Sequence, residues 1–232
     1  AFAEKFNRKF GIAFTNGTAT LHAVLEAFGI GPGDEVIVPP LTMSATTFAV
    51  LQANATPVFA DVDPETFQIS AQSIEKCITA KTKAIMTVAL YGLGPDMESI
   101  MALAQRHGLR VLEDNAECFL GSQNGKLIGT FGDAASYSFQ SSKHLTSGEG
   151  GIVITDDLAL AESIRKVQSL GYAGVSATKG KISKSDIQDP EYSRHVSMGW
   201  NYRMPELCSA VALAKTENMD ALIAIRQDAA GL

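Results

Sequence analysis

Cysteine is scarce in this chain: Cys77, Cys118 and Cys208 are its only three among 232 residues. An odd, scattered set without metal-ligand spacing excludes a disulfide framework and reads as the reduced thiols of a cytoplasmic protein. Charge is also thin, at 19% of residues, with no Lys/Arg cluster and a net charge of −6. That leaves no electrostatic footprint for nucleic acid. It does not exclude a small anionic ligand, because a few local donors can bind a phosphate whatever the total charge. No apolar run approaches the ~18 residues of a membrane span. The charged opening AFAEKFNRKF lacks the apolar core of a signal peptide. Repeats and low-complexity tracts are missing too, so fibrous and solenoid architectures drop out.

What remains is an ordinary globular composition, 46% hydrophobic, long enough for one sizeable α/β domain. Both ends read as cut: the first residue is Ala, and a helical pattern (Phe2, Phe6, Phe10) is already under way. The last stretch, from Asp220, reads as a helix without a stop signal. Strands are expected at Ile12–Thr15, Glu35–Val38, Pro57–Ala60, Ala84–Ala89, Arg110–Glu113, Ala134–Phe139 and Gly151–Thr155. Helices are expected at Thr18–Phe28, Ala45–Gln52, Ala71–Cys77, Met97–His107 and Leu158–Ser169. Such alternation predicts a mostly parallel sheet covered by helices on both faces. Ligands of such sheets bind outside the carboxyl ends of the strands. Gly29–Asp34 follows a helix and precedes a strand, the wrong order for a dinucleotide fingerprint. The Gly-, Ser- and Lys-rich stretch Gly171–Arg194 is a long loop, either functional or mobile.

Polar clusters fall at the expected strand ends. Asn16-Gly17-Thr18-Ala19-Thr20 opens a helix, where free N–H groups and a hydroxyl make a phosphate site or simply an N-cap. Glu113-Asp114-Asn115-Ala116-Glu117 ends an apolar strand. A buried carboxylate there needs a cationic partner, such as a protonated pyridine nitrogen, or it is neutralised; a helix-capping Asp is the plainer reading. Ser138 to Gly151 carries Lys143 between a strand end and a glycine-rich segment. A lysine in a polar loop is most often solvated, but a partly desolvated one is a nucleophilic amine that condenses with aldehydes. Gly199 to Pro205 holds Trp200, Asn201 and Tyr202 ahead of a helix with Pro at its first turn.

These clusters, in this order, resemble the motifs of the DegT/DnrJ/StrS family, sugar-nucleotide aminotransferases of pyridoxal-phosphate (PLP) fold type I. The segments are NGTATLH, GDEVIVPPLTMSATTFAV, PVFADVDPETFQI, LYGLGPDMESI, VLEDNAECFLG, GTFGDAASYSFQSSKHLTSGEGG and GWNYRMPELCSAVAL. The similarity runs from about Phe2 to Asp220, with some motifs resembling those of perosamine synthases.

The resemblance implies a three-layer α/β/α large domain over residues 1–232, with a mainly parallel mixed sheet whose strand near Gly151–Thr155 runs antiparallel. A small C-terminal domain, which completes the substrate site in the family, is expected to lie outside this chain. Lys143 matches the lysine that holds PLP as a Schiff base, and Asp114 matches the partner of the pyridinium nitrogen. Thr18, the Ala19 amide and Ser138 match the phosphate-binding groups. Glu117 stands near the ring hydroxyl where many members have Gln. Asn201 matches a residue that reaches the cofactor phosphate of the neighbouring subunit, so a homodimer with shared sites is implied. Met43 occupies the place of an aromatic residue on the cofactor face, where a thioether can pack instead. Ala89 replaces a frequent His.

The activity implied is a two-stage transamination, from an amino donor, usually glutamate, to a keto-sugar attached to a nucleoside diphosphate. Lys143 releases the cofactor and then moves a proton. Dehydratases on the same fold carry His at the lysine position; Lys143 argues against that reading, although His144 is adjacent. A catalytically silent PLP-binding protein or fragment is the further alternative.

Overall fold

The computed structural model describes residues 1–231 and builds one seven-stranded sheet and one short hairpin. The strands are β1 (Phe10–Phe14), β2 (Glu35–Val38), β3 (Thr56–Phe59), β4 (Thr82–Val88), β5 (Arg110–Asp114), β8 (Ala134–Ser138) and β9 (Gly151–Thr155), with β6 (Ser122–Gln123) and β7 (Lys126–Leu127) forming the hairpin. The order across the main sheet is β1-β9-β8-β5-β4-β2-β3. From β3 to β8 every pairing is parallel, while β9 runs antiparallel to both β8 and β1. The mixed sheet is therefore as the sequence led us to expect, including the direction of β9.

Alternation along the strands sorts the core into layers. Val36 and Val38 face one side and Ile37 the other, and Leu112 and Val111 divide in the same way. The first side is covered by α2 (Gly17–Ala27), α3 (Ala45–Gln52) and α6 (Leu158–Gln168). The second side carries two groups of helices. Under β2, β4 and β5 lie α4 (Ala71–Glu75) and α5 (Met97–His107). Against β8 and β9 pack α1 (Phe2–Lys5), α8 (Glu206–Glu217) and α9 (Met219–Ala230). Burying these stripes on both faces at ~25 cal/mol per Å² is what holds three layers together.

Local signals set the boundaries. Asn16, Ser70, Asp96 and Asp157 cap their helices through side-chain oxygens, and Gly108 ends α5 in the left-handed conformation. Phe10 departs from the expected helix: α1 stops at Lys5 and Phe10 begins β1. The spacing of three phenylalanines mimics a helix, but Phe2 and Phe6 stack on each other at 5.2 Å while Phe10 lies in the sheet edge. The hairpin went unpredicted although Asn124-Gly125 supplies it, both residues having positive φ (51° and 79°). Within Gly171–Arg194 one short turn of helix, α7 (Lys184–Gln188), is held by a Ser183/Asp186 capping box.

Glu113 and Asp114 close β5 and, being consecutive, serve different faces. Glu113 is fully buried and its two oxygens accept three backbone N–H bonds, from Gly129 (2.6 Å), Phe131 (2.8 Å) and Gly132 (2.6 Å). Burial pushes its carboxyl up and the three N–H donors oppose that push. Arg8 clamps the same turn from its carbonyl side, donating to Gly129 and Gly132 and pairing with Asp156 at 2.9 Å. This turn feeds β8, which carries the residues of the next section. Glu113→Gln would set an NH₂ group against backbone donors. It should cost roughly 2–3 kcal/mol of stability, read by denaturant unfolding, and an unchanged midpoint would mean that the turn does not depend on the carboxylate.

Candidate active site

At the carboxyl ends of β1, β4, β5 and β8 lies a cavity of about 330 Å³, at the small end of ligand-pocket sizes. Its position is the one expected of an open α/β sheet. Six of the residues singled out in the sequence line it together: Thr18, Met43, Asp114, Glu117, Ser138 and Lys143. They come from α2, the loop before α3, β5 and its following turn, β8, and the loop after β8.

Lys143 is half-buried, with its Nζ 3.1 Å from Glu117 Oε1. The other Glu117 oxygen accepts the backbone N–H of Tyr91 at 3.3 Å. Tyr91 itself sits at φ 55°, a left-handed conformation uncommon outside glycine and frequent at functional sites. Asp114 is nearly sealed from solvent. One of its oxygens takes the Ala116 N–H (3.2 Å) and the other the Thr46 hydroxyl (3.1 Å). Burial lifts its carboxyl from the ordinary range to about 6, more than the two hydrogen bonds and the Lys143 charge draw it down.

The other wall is the start of α2. Asn16 caps the helix by accepting the Ala19 N–H at 2.8 Å. The Ala19 amide is thus engaged by the cap, and Ala19 is not among the residues lining the cavity. The first-turn amides of Gly17 and Thr18 have no partner within the helix and remain for an anion. Gly17 is required by close approach, since a Cβ there would lie 2.9 Å from the Ser138 Cβ.

Asn201 does not reach this cavity within its own chain. It lines a separate cleft with Arg165, Lys181 and Arg203, and bridges to Ser169. Its neighbours are tied to α2: Trp200 donates to Glu26 at 3.0 Å and the Tyr202 hydroxyl meets His22 at 3.0 Å. His144 is also outside the cavity, its ring packed on Phe119. Met43 is largely exposed on the cavity wall. Thr42, Gln140 and Glu149 line the cavity without having been anticipated, and Thr46, fully buried and outside the lining, supports Asp114 from behind.

A helix N-terminus, a buried carboxylate and a lysine opening on one cavity, in a three-layer α/β/α domain, define the PLP-binding domain of fold type I. The chain belongs to the DegT/DnrJ/EryC1/StrS aminotransferase family, whose model matches residues 1–232. It is 42% identical over 231 residues to a GDP-perosamine synthase of Escherichia coli O157:H7, covering 100% of this chain and 59% of that protein. It thus spans about three-fifths of that relative's length. Among solved structures, an aminotransferase from Psychrobacter cryohalolentis superimposes with a TM-score of 0.86 at 37% identity, over 95% of this chain and 55% of that one. A GDP-4-keto-6-deoxymannose-3-dehydratase superimposes with a TM-score of 0.88 at 26% identity, over 99% and 62%.

The residues fit PLP. The N-terminus of α2 and Ser138 suit a phosphate, Asp114 forms no ion pair among the described residues and suits a protonated ring nitrogen, and Lys143 suits an aldehyde. In the cofactor-free protein the ionised Asp114 is a liability. Its folded-state carboxyl binds protons more tightly than the unfolded one, so stability falls as pH rises from about 4 through about 6. Asp114→Asn should then stabilise the cofactor-free protein above pH ~6, by at most roughly 3 kcal/mol, and the two proteins should converge below pH ~4. Thermal melts across that range test this; a variant equally destabilised at every pH would show that the charge carries no such cost.

Proposed function

We propose that this chain is the cofactor-binding domain of a PLP-dependent aminotransferase that delivers an amino group to a nucleotide-linked keto-sugar. The observation that carries this reading is the meeting of Lys143, Asp114 and the start of α2 in one cavity. The family and the perosamine-synthase relative support the sugar-nucleotide class of substrate. Resemblance also supports glutamate as amino donor and a homodimer as the working unit.

PLP, when bound, supplies an electron-withdrawing ring that can take an amino group from one substrate and pass it to another. The N–H groups of Gly17 and Thr18, with Ser138, would anchor its phosphate. Asp114 would keep a positive charge on its ring nitrogen. Met43 would cover one face, an apolar, polarizable lid in place of an aromatic ring. Lys143 would hold the cofactor through Nζ, and its amine, when free, would take and return the proton at the α-carbon of the amino donor. Glu117 holds Nζ at one side of the cavity between these tasks. The dehydratase reading draws no support from His144, which lies outside the cavity.

Borohydride treatment of the loaded protein followed by peptide mapping should place the label on Lys143; a label on Lys126 or Lys166 would sink the assignment. The dimer is tested by mixing variants of the whole protein. Lys143→Ala and Asn201→Ala homodimers should each be impaired. A mixed dimer has one site with both defects and one site complete, provided Asn201 serves its partner's site, so about half the wild-type activity per mixed dimer is expected. Activity no better than the average of the parents would confine Asn201 to its own subunit.

A further inference from the structure

Behind the carboxylate of Asp114 stands a pair of hydroxyls with no part in the reading above. Thr46, the second residue of α3, is fully buried and donates its hydroxyl to Asp114 Oδ2 at 3.1 Å. Its oxygen also lies 2.9 Å from the hydroxyl of Thr42, four residues earlier and lining the cavity. The Thr46 backbone N–H is bonded to the carbonyl of Met43 at 3.2 Å. One residue therefore ties the segment carrying Met43 to the carboxylate in β5.

A hydroxyl carries one proton. With Asp114 ionised, that of Thr46 goes to Oδ2, and the Thr42 hydroxyl must then donate to Thr46. The chain thus runs one way, from the cavity wall to the carboxylate. A carboxylate has about four acceptor positions. The Ala116 N–H and the Thr46 O–H fill one on each oxygen, leaving capacity on the side that opens into the cavity. Both donors favour the charged form of a group whose burial opposes it. Among the described residues no lysine, arginine or histidine donates a hydrogen bond to Asp114, so this support comes from a hydroxyl and an amide.

We propose that Thr46 is a positioning residue for the cofactor: it orients Asp114 and holds it ionised toward the ring nitrogen, with Thr42 fixing the direction of the hydrogen-bond chain. This rests on the PLP reading, and specifically on Asp114 as the partner of the ring nitrogen. Valine at position 46 keeps the shape and deletes the donor, whereas serine keeps the donor.

The test uses Thr46→Val, Thr46→Ser and Asp114→Asn proteins loaded with PLP. The dissociation constant for PLP is measured, together with the NMR shift of an isotope-labelled ring nitrogen, which reports its protonation. Melting of each cofactor-free protein checks the fold. Losing one hydrogen bond to a charged group corresponds to about ten- to a hundredfold. Thr46→Val should therefore weaken PLP binding by about tenfold or more and move the ring-nitrogen signal in the direction that Asp114→Asn moves it. Thr46→Ser should stay near wild type in both. Wild-type affinity and signal in Thr46→Val overturn the proposal, and so does a serine variant that behaves like valine, which would assign the effect to packing. If Asp114→Asn itself leaves the ring nitrogen protonated and PLP tightly bound, the underlying partnership has failed and the role of Thr46 falls with it.

Discussion

Two consecutive buried carboxylates at the end of β5 set the terms for everything around them. Leaving a carboxylate in a protein interior without partners costs several kcal/mol, so each must be answered, and strand alternation sends them to opposite faces. Glu113 is answered by the chain itself, through three N–H groups of the Gly129–Gly132 turn. Asp114 is answered only in part, by one amide and one hydroxyl, and faces the cavity. One carboxylate thus fastens the scaffold and the other stays available to a ligand. The same pair of facts favours Asp114 as the proposed partner for a cationic ring, since it faces the cavity while both Glu113 oxygens are engaged by the turn.

Sheet topology brings the remaining groups to that carboxylate. Because β9 is antiparallel to both β1 and β8, those two strands run parallel to each other, and their carboxyl ends open on the same side as β4 and β5. Gly151, at the start of β9, pairs with Phe14 on one side and Ser138 on the other. A Cβ at Gly151 would lie 2.8 Å from the Asn16 carbonyl oxygen, so a side chain there would push the α2 turn away from β8. With glycine at 151 and at 17, the first turn of α2 and Ser138 stand close enough to act on one anionic group.

Much of this was legible in the sequence because it rests on local chemistry. The β5 run ending in acid, the Asn-Gly-Thr helix start and the Lys143 loop each announce a strand end or a cap, and six of the expected residues do line one cavity. The direction of β9 came from the family resemblance, since five apolar residues read the same in either direction. Other features depend on tertiary approach and left no local trace. Thr46 sits in an apolar helix, three residues beyond Met43, and nothing in its spacing points to Asp114. Phe10 shares the helical spacing of Phe2 and Phe6, but its neighbours pair with β9. Asn124-Gly125 was a readable hairpin signal that the longer periodicities overshadowed.

The charge pattern of the cavity carries the last step. Near the β5 end stand two carboxylates, Asp114 and Glu117, against the single amine of Lys143. At the α2 end stand unpaired amide donors and the positive end of a helix dipole, with no acidic side chain in the first turn. The cavity is therefore polarised along its length. A ligand with a cationic ring at one end and a phosphate at the other is bound in one orientation, because reversing it would set phosphate against two carboxylates and the cation against amide donors. At 4 Å and an effective dielectric of about 20, a unit phosphate charge against one carboxylate costs on the order of 4 kcal/mol, and a cation against the partial charges of the helix start costs less. On the proposed assignment, orientation would be fixed before Lys143 engages, because both ends of the cofactor would already be placed when the amine meets the aldehyde.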